Sequence, residues 1–105
     1  MSDKDTLHII REKAKSVLPK GSRLYLYGSR TGGDAHEGSD WDLLILLYRP
    51  QDENQDFRRI SYPIMQVGFD LDQYFSVHTY SKAEWDAISF LPFYKNVEHD
   101  KIVLI

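Results

Sequence analysis

Gly28-Ser29 and Asp40-Trp41-Asp42 are the residues of this chain whose types and spacing can do chemistry. Two carboxylates at positions i and i+2 of a strand point to one face, ~6.5–7 Å apart along the chain. Held that close, they repel unless something positive sits between them. Mg²⁺ takes oxygen ligands at about 2.0–2.1 Å, keeps several waters, and is commonly held by one or two carboxylates together with substrate phosphates. Asp40 and Asp42 are thus half of a metal site, for Mg²⁺ or Mn²⁺, and a triphosphate is the other half. A glycine ending a strand lets the backbone come close to an anion. Ser29 adds a hydroxyl donor, and a helical turn starting there points free N–H groups at phosphate. Arg30 adds a guanidinium able to clamp a phosphate in bidentate fashion. Each part also has a plainer reading: a solvated Asp pair, a strand-ending turn, a surface arginine. Asp34 reads as a loop cap. Together they point to a nucleoside triphosphate and its metal.

The elements that must position these residues are legible in outline. Residues 3 to 18 read as an amphipathic helix, with Leu7, Ile10, Ala14, Val17 and Leu18 in phase and Pro19-Lys20-Gly21 as its stop. Residues 23 to 27 alternate, Leu24 and Leu26 on one face and Tyr25 and Tyr27 on the other, which predicts a strand. Residues 28 to 39 hold four glycines and read as a loop with room for one helical turn after Ser29. Residues 41 to 48 form a nearly continuous apolar run, which predicts a central strand buried on both faces. Residues 54 to 67 look helical, with Pro63 predicting a kink or two shorter helices, and Gly68 marks the end. Residues 70 to 80 read as a third strand. Ser81 to Glu84 matches a capping box opening a short helix through Trp85 and Ile88. Pro92-Phe93-Tyr94 starts a helical turn, and residues 102 to 105 are an apolar tail. The order predicts a single α/β domain over residues 1–105, helices packed on a small sheet.

Composition narrows the function. With 105 residues the chain is long enough to bury a core, and with no cysteine it has neither a disulfide scaffold nor a thiolate zinc site. The longest apolar run is far too short to span a bilayer, and the charged start leads into no signal-peptide apolar region, so a cytoplasmic protein is expected. The net charge is −3, and Arg58-Arg59, beside Asp52, Glu53 and Asp56, is the one adjacent basic pair. A long nucleic acid is therefore disfavoured as partner; a small phosphorylated ligand bringing its own metal suits an acidic chain better. Asp34, Asp40 and Asp42 fail the ligand spacing of a calcium-binding EF-hand. His8, His36, His78 and His99 share no ligand spacing, and Ser29 has no nucleophile-elbow context. Trp41, Tyr62, Phe90, Phe93 and Tyr94 are read mostly as core.

Gly28-Ser29, ten intervening residues and then Asp40-x-Asp42 resemble the DNA polymerase beta-like nucleotidyltransferase superfamily. The run Gly-Ser-Arg-x-x-Gly-Asp-Ala at 28 to 35, Ser39 to Ile45, Tyr80 to Trp85 and Pro92 to Val97 resemble its small branch, the minimal nucleotidyltransferases, over most of the chain. The resemblance implies a mixed sheet with the Gly-Ser turn leading into a short helix. It implies transfer of a nucleoside monophosphate from an NTP, ATP first among them, to an acceptor hydroxyl. Gly28, Ser29 and Arg30 would hold the nucleotide, and Asp40 and Asp42 the metal. Members are often paired with a small all-helical partner in toxin–antitoxin loci, and in some pairs the transferase adenylylates the partner on a tyrosine. The family also uses a third carboxylate on a later strand. Counting back from Glu84-Trp85 puts that position on Tyr74, which cannot replace a carboxylate. Asp72, read as two residues earlier on the same strand face, is the substitute candidate, with a polar strand start as its plainer reading; Asp70 precedes it. Gly32 is a second departure, where the family often carries another arginine or a bulkier residue, and it removes one possible phosphate contact. Three readings follow: an active transferase, a catalytically impaired nucleotide- or partner-binding module, and an unrelated α/β domain with a chance motif.

Overall fold

A computed structural model of the chain describes residues 1–31 and 39–105. The readings placed on Gly32, Asp34 and His36 lie outside the described residues.

Helix α1 (Asp3–Val17) starts on a capping box. The Ser2 hydroxyl accepts from the Asp5 N–H, and the Asp5 carboxylate accepts from the Ser2 N–H, so two orphan donors of the first turn are satisfied at once. Strand β1 (Arg23–Tyr27) leads into a 3₁₀ turn (Gly28–Thr31), the helical turn expected after the Gly-Ser step. Strand β2 (Trp41–Leu47) follows.

The long helical stretch is three pieces in a row: α2 (Glu53–Asp56), a π-helical turn (Phe57–Ser61) and α3 (Tyr62–Asp70). Pro63 sits in the first turn of α3. Its ring would crowd the carbonyl four residues back, and the turn before it is widened, with the Tyr62 N–H reaching Phe57 O. The break therefore falls one turn earlier than the proline alone predicts. Gly68 does not end the helix. It lies buried inside α3, where a Cβ would sit 2.8 Å from the Phe75 ring and 3.0 Å from the Gln73 carbonyl. This glycine lets the helix and the next strand approach.

Strand β3 (Phe75–Ser81) is shorter than residues 70 to 80. Asp70 is still helical, and residues 71 and 72 form a turn closed by Leu71 N–H to Val67 O, Asp72 N–H to Phe69 O and Gln73 N–H to Gly68 O. Helix α4 (Lys82–Ala87) opens on the expected capping box, with Ser81 and Glu84 exchanging bonds. Helix α5 (Pro92–Asp100) is a full nine-residue helix rather than a turn. The apolar tail contributes β4 (Ile102–Val103).

The four strands form one mixed sheet in the order β3-β2-β1-β4. β1 pairs antiparallel with β2 and β4, while β2 and β3 run parallel. A parallel pair needs a crossover, and α2 through α3 supply it. On one face Leu24, Leu26, Trp41, Leu43, Ile45 and Leu47 pack with Ile10, Ala14, Ile60 and Ile64. On the other, Tyr25, Tyr27, Leu44 and Leu46 pack with Trp85 and Val97, and Phe93 and Tyr94 lie against them. Helices cover both faces, so β2 is buried on both, as its apolar run requires. Of the five aromatics read mostly as core, Trp41 is buried, Phe93 and Tyr94 half-buried, and Tyr62 and Phe90 exposed.

Candidate active site

The end of β1 and the start of β2 meet because the two strands pair antiparallel. Tyr27 lies opposite Asp42, so Gly28 stands beside the Asp42 carboxylate. Gly28 has φ +79°, and a Cβ there would overlap Asp42 Oδ2. Both facts demand glycine. Ser29 is exposed, and its hydroxyl makes no hydrogen bond among the described residues. Asp40 is also exposed and immediately precedes β2.

Asp42 is half-buried, and its pKa is raised above the ordinary carboxylate value. Burial is the main cause and the Asp40 charge adds to it, while His78 pulls the other way. A cation between the two carboxylates would relieve that repulsion. The donor set is hard oxygen, and the glycine keeps a side chain out of the space beside it, so these residues fit a hard divalent ion.

β3 borders the pair on the other side. Ser76 lies opposite Asp42 in the parallel register, and Tyr74 joins the strand start through Trp41 N–H to Tyr74 O, 2.8 Å. Neither neighbour of the Asp pair is a carboxylate. Asp72 is not in strand phase with Tyr74: it occupies the turn after α3 with φ +54°. Among the described residues no three His, Cys, Asp or Glu side chains gather closely enough to hold a metal.

Arg30 is committed elsewhere. Its Nε and Nη2 donate to the Ser39 carbonyl at 3.2 and 2.8 Å, and its Nη1 donates to Asp3. The guanidinium lies 4.3 Å from the Trp41 ring centroid. The arginine thus ties α1, the 3₁₀ turn and the start of β2 together. Sequence reasoning missed Tyr27 and His78. The Tyr27 hydroxyl and His78 Nδ1 are 2.8 Å apart on the face that carries Asp42. Burial, then the Asp42 charge and then Tyr80, push the Tyr27 hydroxyl up to about 12. The alternation of β3 implies that His78 shares a face with Ser76, but only the register with β2 puts Ser76 opposite Asp42 and His78 opposite Leu44 on that same face.

A cleft of about 600 Å³ opens at the far ends of β2 and β3, lined by Tyr48, Arg49, Gln51, Lys82 and Glu84. It lies a strand length from the Asp pair, about 20 Å for seven residues, and takes no part in this site.

A family model described as "Nucleotidyltransferase domain" matches residues 7–104. The chain belongs to the nucleotidyltransferase domain family. Two solved structures share the nucleotidyltransferase fold. One is described as a toxin–antitoxin with AMP-PNP; it is 18% identical, with a TM-score of 0.60, and the match covers 99% of this chain and 73% of the other. The second is a toxin–antitoxin MntA–HpeT pair carrying two Asp-to-Glu substitutions; it is 17% identical, with a TM-score of 0.62, covering 94% of this chain and 72% of the other. No curated protein matches the chain at a significant level. The nucleotidyltransferase fold accounts for the mixed sheet and for the Gly-Ser turn beside the Asp pair. Among the described residues no helix is long and apolar enough to cross a membrane.

Proposed function

We propose that this chain transfers AMP from ATP to a hydroxyl on a partner protein or small acceptor, in the cytoplasm, with Asp40 and Asp42 holding Mg²⁺ or Mn²⁺. The observation that carries the reading is the pair of repelling carboxylates set against the bare backbone of Gly28. A bound divalent ion supplies charge neutralisation at the phosphates. Gly28 leaves room for the Asp42 carboxylate beside the turn, and the unpaired Ser29 hydroxyl donates to a phosphate oxygen. The acceptor hydroxyl gives its proton to Asp72 or to water as its oxygen bonds to the α-phosphorus, the bond to the bridging oxygen breaks, and pyrophosphate leaves. The tied-down Arg30 holds the turn in place rather than gripping phosphate. The similar structures whose descriptions name toxin–antitoxin assemblies support a partner from such a locus as acceptor; this chain is then the antitoxin half of the pair and the small all-helical partner the other.

The test is incubation of the chain with Mg²⁺, each α-labelled NTP and the helical partner. Label should pass from ATP to the partner, and Asp42→Asn should cut the rate by roughly a hundredfold or more. Failure to label with any nucleotide would remove the enzyme reading. A second reading has its own support. With Ser76 opposite Asp42 and Asp72 in a turn, a third carboxylate is missing from the strand that should supply it. The chain would then be a nucleotide- or partner-binding module. Mg·ATP binding by thermal shift without transfer would select it. Asp72→Asn decides the remaining candidate: if Asp72 takes the acceptor proton, the variant loses transfer and keeps Mg·ATP binding.

A further inference from the structure

Phe69 and Tyr74 are 69% and 76% exposed, although each is large and aromatic. They stand at the mouth of a cleft of about 420 Å³ that Met65, Asp72, Gln73 and Phe75 complete. The cleft is joined to the Asp-x-Asp strand. Trp41 N–H donates to Tyr74 O, and Trp41 Nε1 donates to Gln73 Oε1 at 3.2 Å. Asp72 puts a carboxylate in its lining, and Asp70 directly follows the lining residue Phe69 in the chain. Asp70, Asp72 and the nearby Asp40 are all exposed, and among the described residues none has an ion-pair partner.

An apolar cleft with aromatic lips and an acidic margin repels a triphosphate and suits the opposite charge. We propose that this cleft docks the acceptor: a polypeptide segment that inserts an apolar or aromatic side chain between Phe69 and Tyr74 and sets lysine or arginine against Asp70 and Asp72. This inference rests on the reading of Asp40 and Asp42 as the transfer site, because it assigns the cleft to the acceptor by its place beside them. Exposed aromatics next to a reaction centre are the residue types that dominate interface energy, and the charged margin sets orientation and encounter rate.

The probe is a fluorescent peptide with one tryptophan between two arginines, titrated by anisotropy against the full chain. Two controls replace the arginines with glutamates or the tryptophan with alanine. The basic aromatic peptide should bind more tightly than both, and added salt should weaken it. Phe69→Ser with Tyr74→Ser should cost roughly tenfold or more in affinity. Both side chains are exposed, so the melting temperature and Mg·ATP binding should stay unchanged. Equal binding of the acidic and basic peptides, or no loss in the double variant, overturns the proposal. So does a dimer that the double variant dissolves, which would give the cleft to a second copy. If wild type fails to bind Mg·ATP while the peptide results hold, the transfer-site reading fails and the cleft survives as a peptide site.

Discussion

Asp42 ionises against burial and against Asp40, so the folded chain holds its proton more tightly than the unfolded chain does. The stability from this group is full below the unfolded carboxyl pKa and is lost as pH rises through the raised folded value. At neutral pH the metal-free protein therefore carries a repulsion that an amide would remove. Asp42→Asn should melt higher than wild type at neutral pH without Mg²⁺, and the difference should vanish in acid. Adding Mg²⁺ should raise the wild-type melting temperature and leave the variant nearly unmoved. Equal responses to Mg²⁺ would contradict a carboxylate-held ion. Gly28→Ala tests the same spot from the other strand. Its φ of +79° and the overlap with Asp42 predict a loss of about 1–3 kcal/mol in denaturant unfolding, together with weaker Mg·ATP binding.

Asp56 shows how a helix is fixed to the sheet. Its buried carboxylate accepts from Arg49 Nη1 and Nη2 and from the Asp52 N–H, and Asp52 caps α2. The Arg49 hydrogen bond is the main reason its pKa is lowered. Stability from a lowered carboxyl is present above the unfolded pKa and lost as pH falls through the folded one. Asp56→Asn should cost about 1–3 kcal/mol at neutral pH, at the low end because Arg49 is 41% exposed. The acid side of the stability curve should flatten with it. Elements of this kind differ in how far the sequence reveals them. The capping box at Ser81 and the alternation of residues 23 to 27 are local signals, and both elements form as read. The start of β3 is not legible because Gly68 looks like a stop, whereas it serves contact with Phe75, seven residues on. The Asp pair and Gly28 could be found from spacing. Ser76 and His78 could not, because their place on the Asp42 face depends on a parallel register set by the whole crossover.

Across the whole molecule, the site sits where layers meet rather than inside either core. One helical layer begins at α1, and the Asp pair stands at the rim of the sheet; Arg30 joins them through Asp3, the Ser39 carbonyl and the Trp41 ring. Its side chain is only 6% exposed, while that of Asp3 is 69% exposed, so the ion pair with Asp3 contributes little and the carbonyl bonds and ring contact matter more. Two consequences separate a brace from a phosphate clamp. As a brace, Arg30→Ala should lower stability by about 1–3 kcal/mol, because two hydrogen bonds to the Ser39 carbonyl and the cover over Trp41 are lost. Mg·ATP affinity should fall with it, since the 3₁₀ turn loses its anchor. Asp3→Ala should change both only slightly. As a clamp, Arg30→Ala would leave the melting temperature in place and remove affinity alone. Melting curves and Mg·ATP titrations of the two variants decide between them. The packing predicts that stability and affinity fall together, because the residue that fixes the turn is anchored in the body of the fold.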